Sequence, residues 1–171
     1  VVIGACGHIG SYLVPKLVKG GLKVVAISRG KSKPYINDPA WKMVEQVVLD
    51  RNKDEDFAYK VAKMNADIVV DLINFNIEDT KKMVTALKEI KISHYLYRSS
   101  IWAHGRAEFL PADPNSLKEP LDDYGVDKYQ SELYLKEQYR KNGFPATIIM
   151  PGQISGPGWT IINPLGNTDF S

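Results

Sequence analysis

The stretch Val1-Val2-Ile3-Gly4-Ala5-Cys6-Gly7-His8-Ile9-Gly10-Ser11-Tyr12-Leu13 runs from a β-branched triplet through a glycine-rich turn into a helical pattern. Ile9, Leu13 and Leu17 recur at helical spacing, so strand, turn and helix follow one another directly. Each glycine has a physical use there. Gly4 permits the tight turn, Gly7 lets backbone N–H groups approach a pyrophosphate, and Gly10 lets helix and strand pack closely. The helix N-terminus then faces the phosphates with its partial positive charge. A glycine-rich turn with no ligand is the plainer alternative, and the strand–turn–helix context favours the nucleotide. Gly4, Cys6, Gly7, His8, Ile9 and Gly10 are thus the first candidate cofactor contacts. Pro15 falls beyond the first helical turn, where proline costs roughly 3 kcal/mol, and predicts a kink or a short irregular turn.

Outward from this unit the pattern alternates. Short apolar or β-branched runs lie at 24–27, 44–49, 68–73, 94–98 and 146–150. Between them, helical spacing links Phe57, Val61 and Met64, then Met83, Leu87 and Ile90. A long amphipathic stretch covers 121–141, closed by Asn142-Gly143 as a C-cap with Pro145 beyond. Strands alternating with helices predict an α/β fold, a doubly wound parallel sheet of Rossmann type covered on both faces. The Pro-rich stretch 109–120 reads as a loop inside the domain. At 171 residues with 44% apolar side chains, the chain fits one domain with a proper core. A formal charge of +2 implies no charge-driven nucleic-acid or membrane partner. The single cysteine, Cys6, excludes an internal disulfide and points to a reducing, cytoplasmic compartment. No apolar run approaches a membrane span. Val1 opens within a strand and the tail 163–171 stops without completing an element. The expectation is a nucleotide-binding domain over 1–158 and the start of a substrate-binding region over 159–171.

The end of the second strand bears on the cofactor. A carboxylate there would hold the adenosine ribose 2′-hydroxyl and repel a 2′-phosphate. This chain has Ser28-Arg29-Gly30, with Lys31 and Lys33 after it. Arginine can grip a phosphate with its planar fork and serine can donate to it, so NADP is favoured over NAD; a solvated basic loop is the alternative. Asp50, ending the third strand, can accept from the adenine amino group or cap the following helix. Tyr124 and Lys128, four apart, share one helix face. A lysine ammonium near a phenol stabilises phenolate and gives a usable acid–base at neutral pH. Ser99-Ser100 follows the fifth strand, at the sheet edge where doubly wound folds bind ligands. No metal-ligating pattern is present.

With these residues in order, the sequence resembles the extended short-chain dehydrogenase/reductase superfamily, in its NAD-dependent epimerase/dehydratase group. The matching residues are Gly4-x-x-Gly7-x-x-Gly10, Asp50, Ser99-Ser100 with Gly105, Tyr124-x-x-x-Lys128, and Pro151-Gly152 with Gly156-Pro157-Gly158. The resemblance implies Ser100, Tyr124 and Lys128 as the catalytic triad, with Tyr124 the acid–base and Lys128 also holding the nicotinamide ribose. It places Pro151 beside the nicotinamide. It implies hydride transfer at a secondary alcohol or ketone carbon, of a sugar nucleotide or similar small molecule. Sugar-nucleotide 4,6-dehydratases of the family follow the triad hydroxyl with Asp-Glu. Ile101 and Trp102 stand there instead and transfer no proton, which excludes that activity. His104 replaces a usual tyrosine and Met150 a usual arginine. His104 reads as an extra proton carrier or a solvated loop residue, and Trp102 and Trp159 as pocket walls or packing. An NADPH-dependent carbonyl reductase stays open as an alternative. So does a non-catalytic relative, because Ser28-Arg29-Gly30 and the Trp41 region also look like the chloroplast stem-loop RNA-binding branch. Relatives of this type pair two helices into a four-helix bundle. The surplus of large residues at Tyr129, Leu133, Tyr134, Leu135 and Tyr139 predicts a homodimer through that helix.

Overall fold

The central strands of the sheet are short, apolar and mostly buried, whereas the edge strands are partly exposed. A computed structural model describes residues 1–106, 113 and 116–157. Gly158, Trp159, the tail and part of the Pro-rich loop lie outside the described residues. The strands are β1 (Val2–Ile3), β2 (Val25–Ser28), β3 (Glu45–Val48), β4 (Ile68–Asp71), β5 (His94–Arg98) and β6 (Ala146–Ile149). They form one parallel sheet in the order β3-β2-β1-β4-β5-β6. The order reverses direction beside β1, and a doubly wound fold binds its ligand at such a crossing.

Alternation at β1 divides the core. Val2 packs on one side with Ala26, Val70, Val14 and Leu72, under the helix α1 (His8–Lys19). Ile3 packs on the other with Ile27, Val69 and Tyr95, under α2 (Phe57–Lys63), α3 (Ile77–Glu89) and α4 (Asp123–Asn142). The connection from β2 to β3 carries only a short 3₁₀ segment, Pro39–Met43, which the periodicity does not announce. Its Trp41 packs against the α1 side of the core.

Most elements fall where the spacing puts them, trimmed by a residue or so at their ends. Gly143 closes α4 in the left-handed conformation (φ 65°). Its N–H donates to Tyr139 O at 2.8 Å and that of Phe144 to Gln138 O at 3.3 Å, satisfying carbonyls the helix end leaves open. Pro15 does not interrupt the helix. α1 runs from His8 to Lys19 with no irregular turn at the proline. The Pro15 ring is buried, so its packing offsets the hydrogen bond that the missing N–H cannot give. On α4, Leu135 is fully buried and Tyr134 packs partly into the core, whereas Leu133 and Tyr139 stay 48% and 64% exposed. The large residues therefore do form more than one stripe. Among the described residues no helix is long and apolar enough to cross a membrane.

Candidate active site

The glycine turn leaves no room for side chains at two of its positions. Gly4 sits at φ +82°, and a Cβ on it would lie 2.6 Å from Ile73 Cγ2. A Cβ on Gly10 would lie 2.4 Å from the Ala5 carbonyl oxygen, so α1 begins in contact with the loop that leaves β1. Gly7 is the N-cap of α1; no side chain caps the helix there, and no acidic residue stands in its first turn. Those first N–H groups are therefore open to an anion. The donor set fits a pyrophosphate. Around it, the His8 ring meets those of Tyr12 and Tyr35 in tilted contacts, with centroids 5.9 and 5.5 Å away. The Tyr12 hydroxyl donates to Pro157 O at 2.5 Å, drawing the segment after β6 over this end of the sheet. Cys6 is buried and free.

At the end of β2, the Ser28 hydroxyl accepts from Gly30 N at 3.2 Å. Gly30 adopts φ +70°, and Arg29 stands exposed at the tip of the turn with no ion pair among the described residues. Asp50 does not cap α2. Its Oδ1 accepts from Asn52 N at 3.1 Å and its N–H donates to Asp54 Oδ2 at 2.8 Å, while the N-cap of α2 is Asp56. A turn tied to itself occupies the loop that a helix cap would need.

The second group of residues gathers where α4 meets the ends of β4 and β5. Asp122 caps α4, accepting from Gly125 N at 2.7 Å. Gly125 itself has no room for a side chain, since a Cβ would lie 2.6 Å from Trp102 O. The 3₁₀ segment Ile101–Ala103, whose N-cap is Ser100, therefore abuts the first turn that carries Tyr124. Ser100 Oγ accepts from Trp102 N at 3.3 Å. Pro151 O accepts from Ile101 N at 3.2 Å, which holds the Pro-Gly segment beside the same turn.

Lys128 has no exposed surface. Its Nζ donates to the backbone carbonyls of Asn74 and, at 2.9 Å, of Arg98. Three rings surround it, Tyr97 at 5.0 Å, Phe75 at 5.3 Å and Tyr124 at 5.5 Å to their centroids. Burial, reinforced by the like charge of Arg98, pushes its ammonium down to about 7. The structure thus brings Tyr124 and Lys128 together and sets Ser100 on the adjoining segment. His104 closes the segment that Ser100 opens. Its charged neighbours are Lys118, Glu132 and Lys136, and burial lowers its basicity. Trp102 is exposed, and Met150 Sδ faces the Lys118 ammonium at 3.6 Å. Among the described residues no group of three His, Cys, Asp or Glu side chains is placed to hold a metal ion.

Sequence reasoning missed the supports of this group. Arg98 Nη2 lies 3.5 Å from the Tyr124 hydroxyl. Glu132 is buried, accepting from Ser99 Oγ and, at 2.6 Å, from Lys118 Nζ. Asp71 is buried against Arg51 at 2.7 Å and the Tyr95 hydroxyl at 2.9 Å. Asn74 Oδ1 accepts from Thr80 Oγ1 at 3.2 Å, and the Thr80 and Ser131 hydroxyl oxygens lie 2.9 Å apart. Glu132 had a signal, four residues after Lys128 on one helix face. Lys118, Asn74 and Asp71 had none.

A six-stranded parallel sheet wound from both sides, with a glycine turn opening its first helix, is a dinucleotide-binding domain. The chain belongs to the NAD dependent epimerase/dehydratase family, whose model matches residues 1–168. It is 27% identical to a Methanocaldococcus jannaschii protein assigned provisionally as a UDP-glucose 4-epimerase, over 91% of this chain and 56% of that protein. It is 25% identical to the chloroplast stem-loop binding protein of 41 kDa b of Arabidopsis thaliana, over 92% and 42%. The crystal structure of UDP-glucose 4-epimerase from Thermotoga maritima with UDP-glucose superposes with a TM-score of 0.75, at 20% identity, covering 87% of this chain and 53% of that one. The chain spans about half the length of the relatives it matches.

Lys128 gives a testable consequence for stability. Its folded pKa lies below its unfolded value of about 10.4. The folded state therefore binds fewer protons between those values, and stability should rise with pH from near 7 towards 10. Urea unfolding of the parent and of Lys128→Met should show a stability difference that moves in favour of the parent over that window, by up to about 1.4 kcal/mol per pH unit. A difference independent of pH would show that Lys128 is not held in this way.

Proposed function

We propose that the full-length protein is an NAD(P)-dependent epimerase acting at a secondary alcohol or ketone carbon of a sugar nucleotide or similar small molecule. The observation that carries this reading is the Tyr124 hydroxyl at the C-terminal edge of the sheet with the Lys128 ammonium 5.5 Å from its ring. Family membership and the open first turn of α1 support it. In this reading Gly4, Cys6, Gly7, His8, Ile9 and Gly10 hold the pyrophosphate, Asp50 the adenine, and Pro151 borders the nicotinamide. When bound, the cofactor supplies the two-electron acceptor and donor for alcohol–ketone interconversion. Tyr124 takes the proton from the substrate hydroxyl at its phenolic oxygen and returns it. Ser100 Oγ orients the substrate oxygen. Lys128, already donating to two carbonyls, has one further N–H for the nicotinamide ribose.

The proposal extends to cofactor choice and assembly. Arg29 and Ser28, with no carboxylate at the strand end, favour NADP over NAD. The exposed Leu133 and Tyr139 on α4 support a two-fold homodimer formed by this helix and its copy.

Three outcomes are expected. Tyr124→Phe should abolish turnover, a loss of at least about a hundredfold, while fluorescence titration shows cofactor affinity nearly unchanged. A variant that kept most of its activity would refute the role given to Tyr124. Full-length protein should bind NADPH more tightly than NADH, and Arg29→Asp should reverse the order, each by roughly tenfold or more; identical titration curves in the parent would sink the preference. Light scattering at micromolar concentration should report twice the chain mass, shifting to monomer in the Leu133→Glu, Tyr139→Glu double variant. A monomeric parent would end the assembly proposal and leave the others standing.

A further inference from the structure

Arg98 closes β5 directly before Ser99-Ser100, so the strand delivers its side chain to the edge where Tyr124 and Lys128 meet. Its Nη2 stands 3.5 Å from the Tyr124 hydroxyl, and its guanidinium carbon lies 5.7 Å from the ring centroid of Phe75, which is half exposed. Its Nε is buried without a hydrogen-bond partner among the described residues. Arg98 also makes no ion pair among them. Among the described residues two other buried cations have carboxylate partners, whereas Lys128 donates only to backbone carbonyls. Arg51 is paired with Asp71 and Lys118 with Glu132.

Those two carboxylates are also the ones whose charge reaches Lys128, and both are already committed. Among the described residues, Tyr124 therefore stands between two cationic side chains that make no ion pair. A buried donor left without a partner is costly, and more so when charged. A guanidinium offers its N–H groups in a planar fork that matches the two oxygens of a carboxylate. Ile101 and Trp102, the exposed side chains of the adjoining turn, are apolar or weakly polar and supply no counter-charge.

We infer that Arg98 is an anion receptor in the active site, and that the substrate carries a carboxylate beside the alcohol or ketone carbon on which Tyr124 works. The inference rests on the proton-transfer role proposed for Tyr124 and narrows the substrate to a hydroxy acid or a uronic-acid type of sugar. The carboxylate occupies the fork, and its charge offsets Arg98 and Lys128 together. The substrate carbon is thereby held next to the phenol.

The test is calorimetric titration of the full-length, cofactor-saturated protein with D-glucuronate, D-glucose and inorganic phosphate. Glucuronate should bind about tenfold or more tightly than either other probe. Arg98→Gln should remove that preference while cofactor affinity is unchanged, and Arg98→Lys, which keeps the charge without the fork, should fall between. If the Gln variant does not fold, the weakening in the Lys variant carries the test. Equal affinity for glucuronate and glucose, no heat from any probe at millimolar concentration, or a preference that survives in both variants would overturn the receptor. Phosphate binding as tightly as glucuronate would overturn the carboxylate. Failure here is separable from failure of the chemistry: Tyr124→Phe turning over normally refutes the reaction and leaves the Arg98 result standing.

Discussion

No side chain fits at position 10, because a Cβ there would press within 2.4 Å of the Ala5 carbonyl oxygen and 2.6 Å of that of Gly4. The absence of one atom lets α1 start against the loop leaving β1. β1 lies at the centre of the sheet, so this contact fixes where the helix N-terminus stands relative to every other strand. Ser11, one residue on, secures the arrangement. Its hydroxyl donates to Gly7 O at 2.8 Å and accepts from Tyr35 N at 3.0 Å, tying the β2–β3 connection to the same turn. A larger residue at position 10 would push α1 away and take the anion-facing N–H groups with it.

The opposite half of the sheet edge is organised by polar burial. α4 docks through Gly125, Lys128, Ser131, Glu132 and Leu135, only one of them a large apolar residue. Hydrogen bonds therefore set its register. Lys128 reaches two strand-end carbonyls, Ser131 meets Thr80 of α3, and Glu132 takes Ser99 and Lys118. Asp127 accepts from Ile77 N at 3.1 Å and so serves the N-terminus of α3 from another helix. A buried network of this kind is costly to leave half made, and the demand that all partners be met leaves few alternative positions for Tyr124.

Parallel strands place all their C-terminal ends on one edge, so residues far apart in the chain become neighbours there. Arg29 directly follows β2 and Arg98 ends β5. Both are unpaired guanidinium groups among the described residues, one beside the glycine turn and one beside Tyr124. Between them the buried acids Asp71 and Glu132 are neutralised within the protein. The positive charge left at the edge is thus available to ligands.

The sequence by itself determined the elements whose causes are local. A glycine turn after a β-branched run, helical spacing, the Gly143 cap and a Tyr-x-x-x-Lys pair each lie within a few residues, where backbone sterics and periodicity act. The fold class and the pairing of Tyr124 with Lys128 follow from those. Only the tertiary structure decided what crosses the chain. Lys128 and Asn74 are separated by 54 positions, Lys118 and Glu132 by 14, and Arg51 and Asp71 by 20. No periodicity encodes such pairs, because they form only when strands and helices are already packed. Arg98 stayed hidden for the same reason: at the end of a strand it reads as a boundary residue, and its meeting with Tyr124 needs α4 in place. Asp50 and Pro15 were settled by context too, one by a turn bonded to itself and one by burial of its ring. Local steric rules act on neighbours in sequence, whereas charge pairing and burial act on neighbours in space.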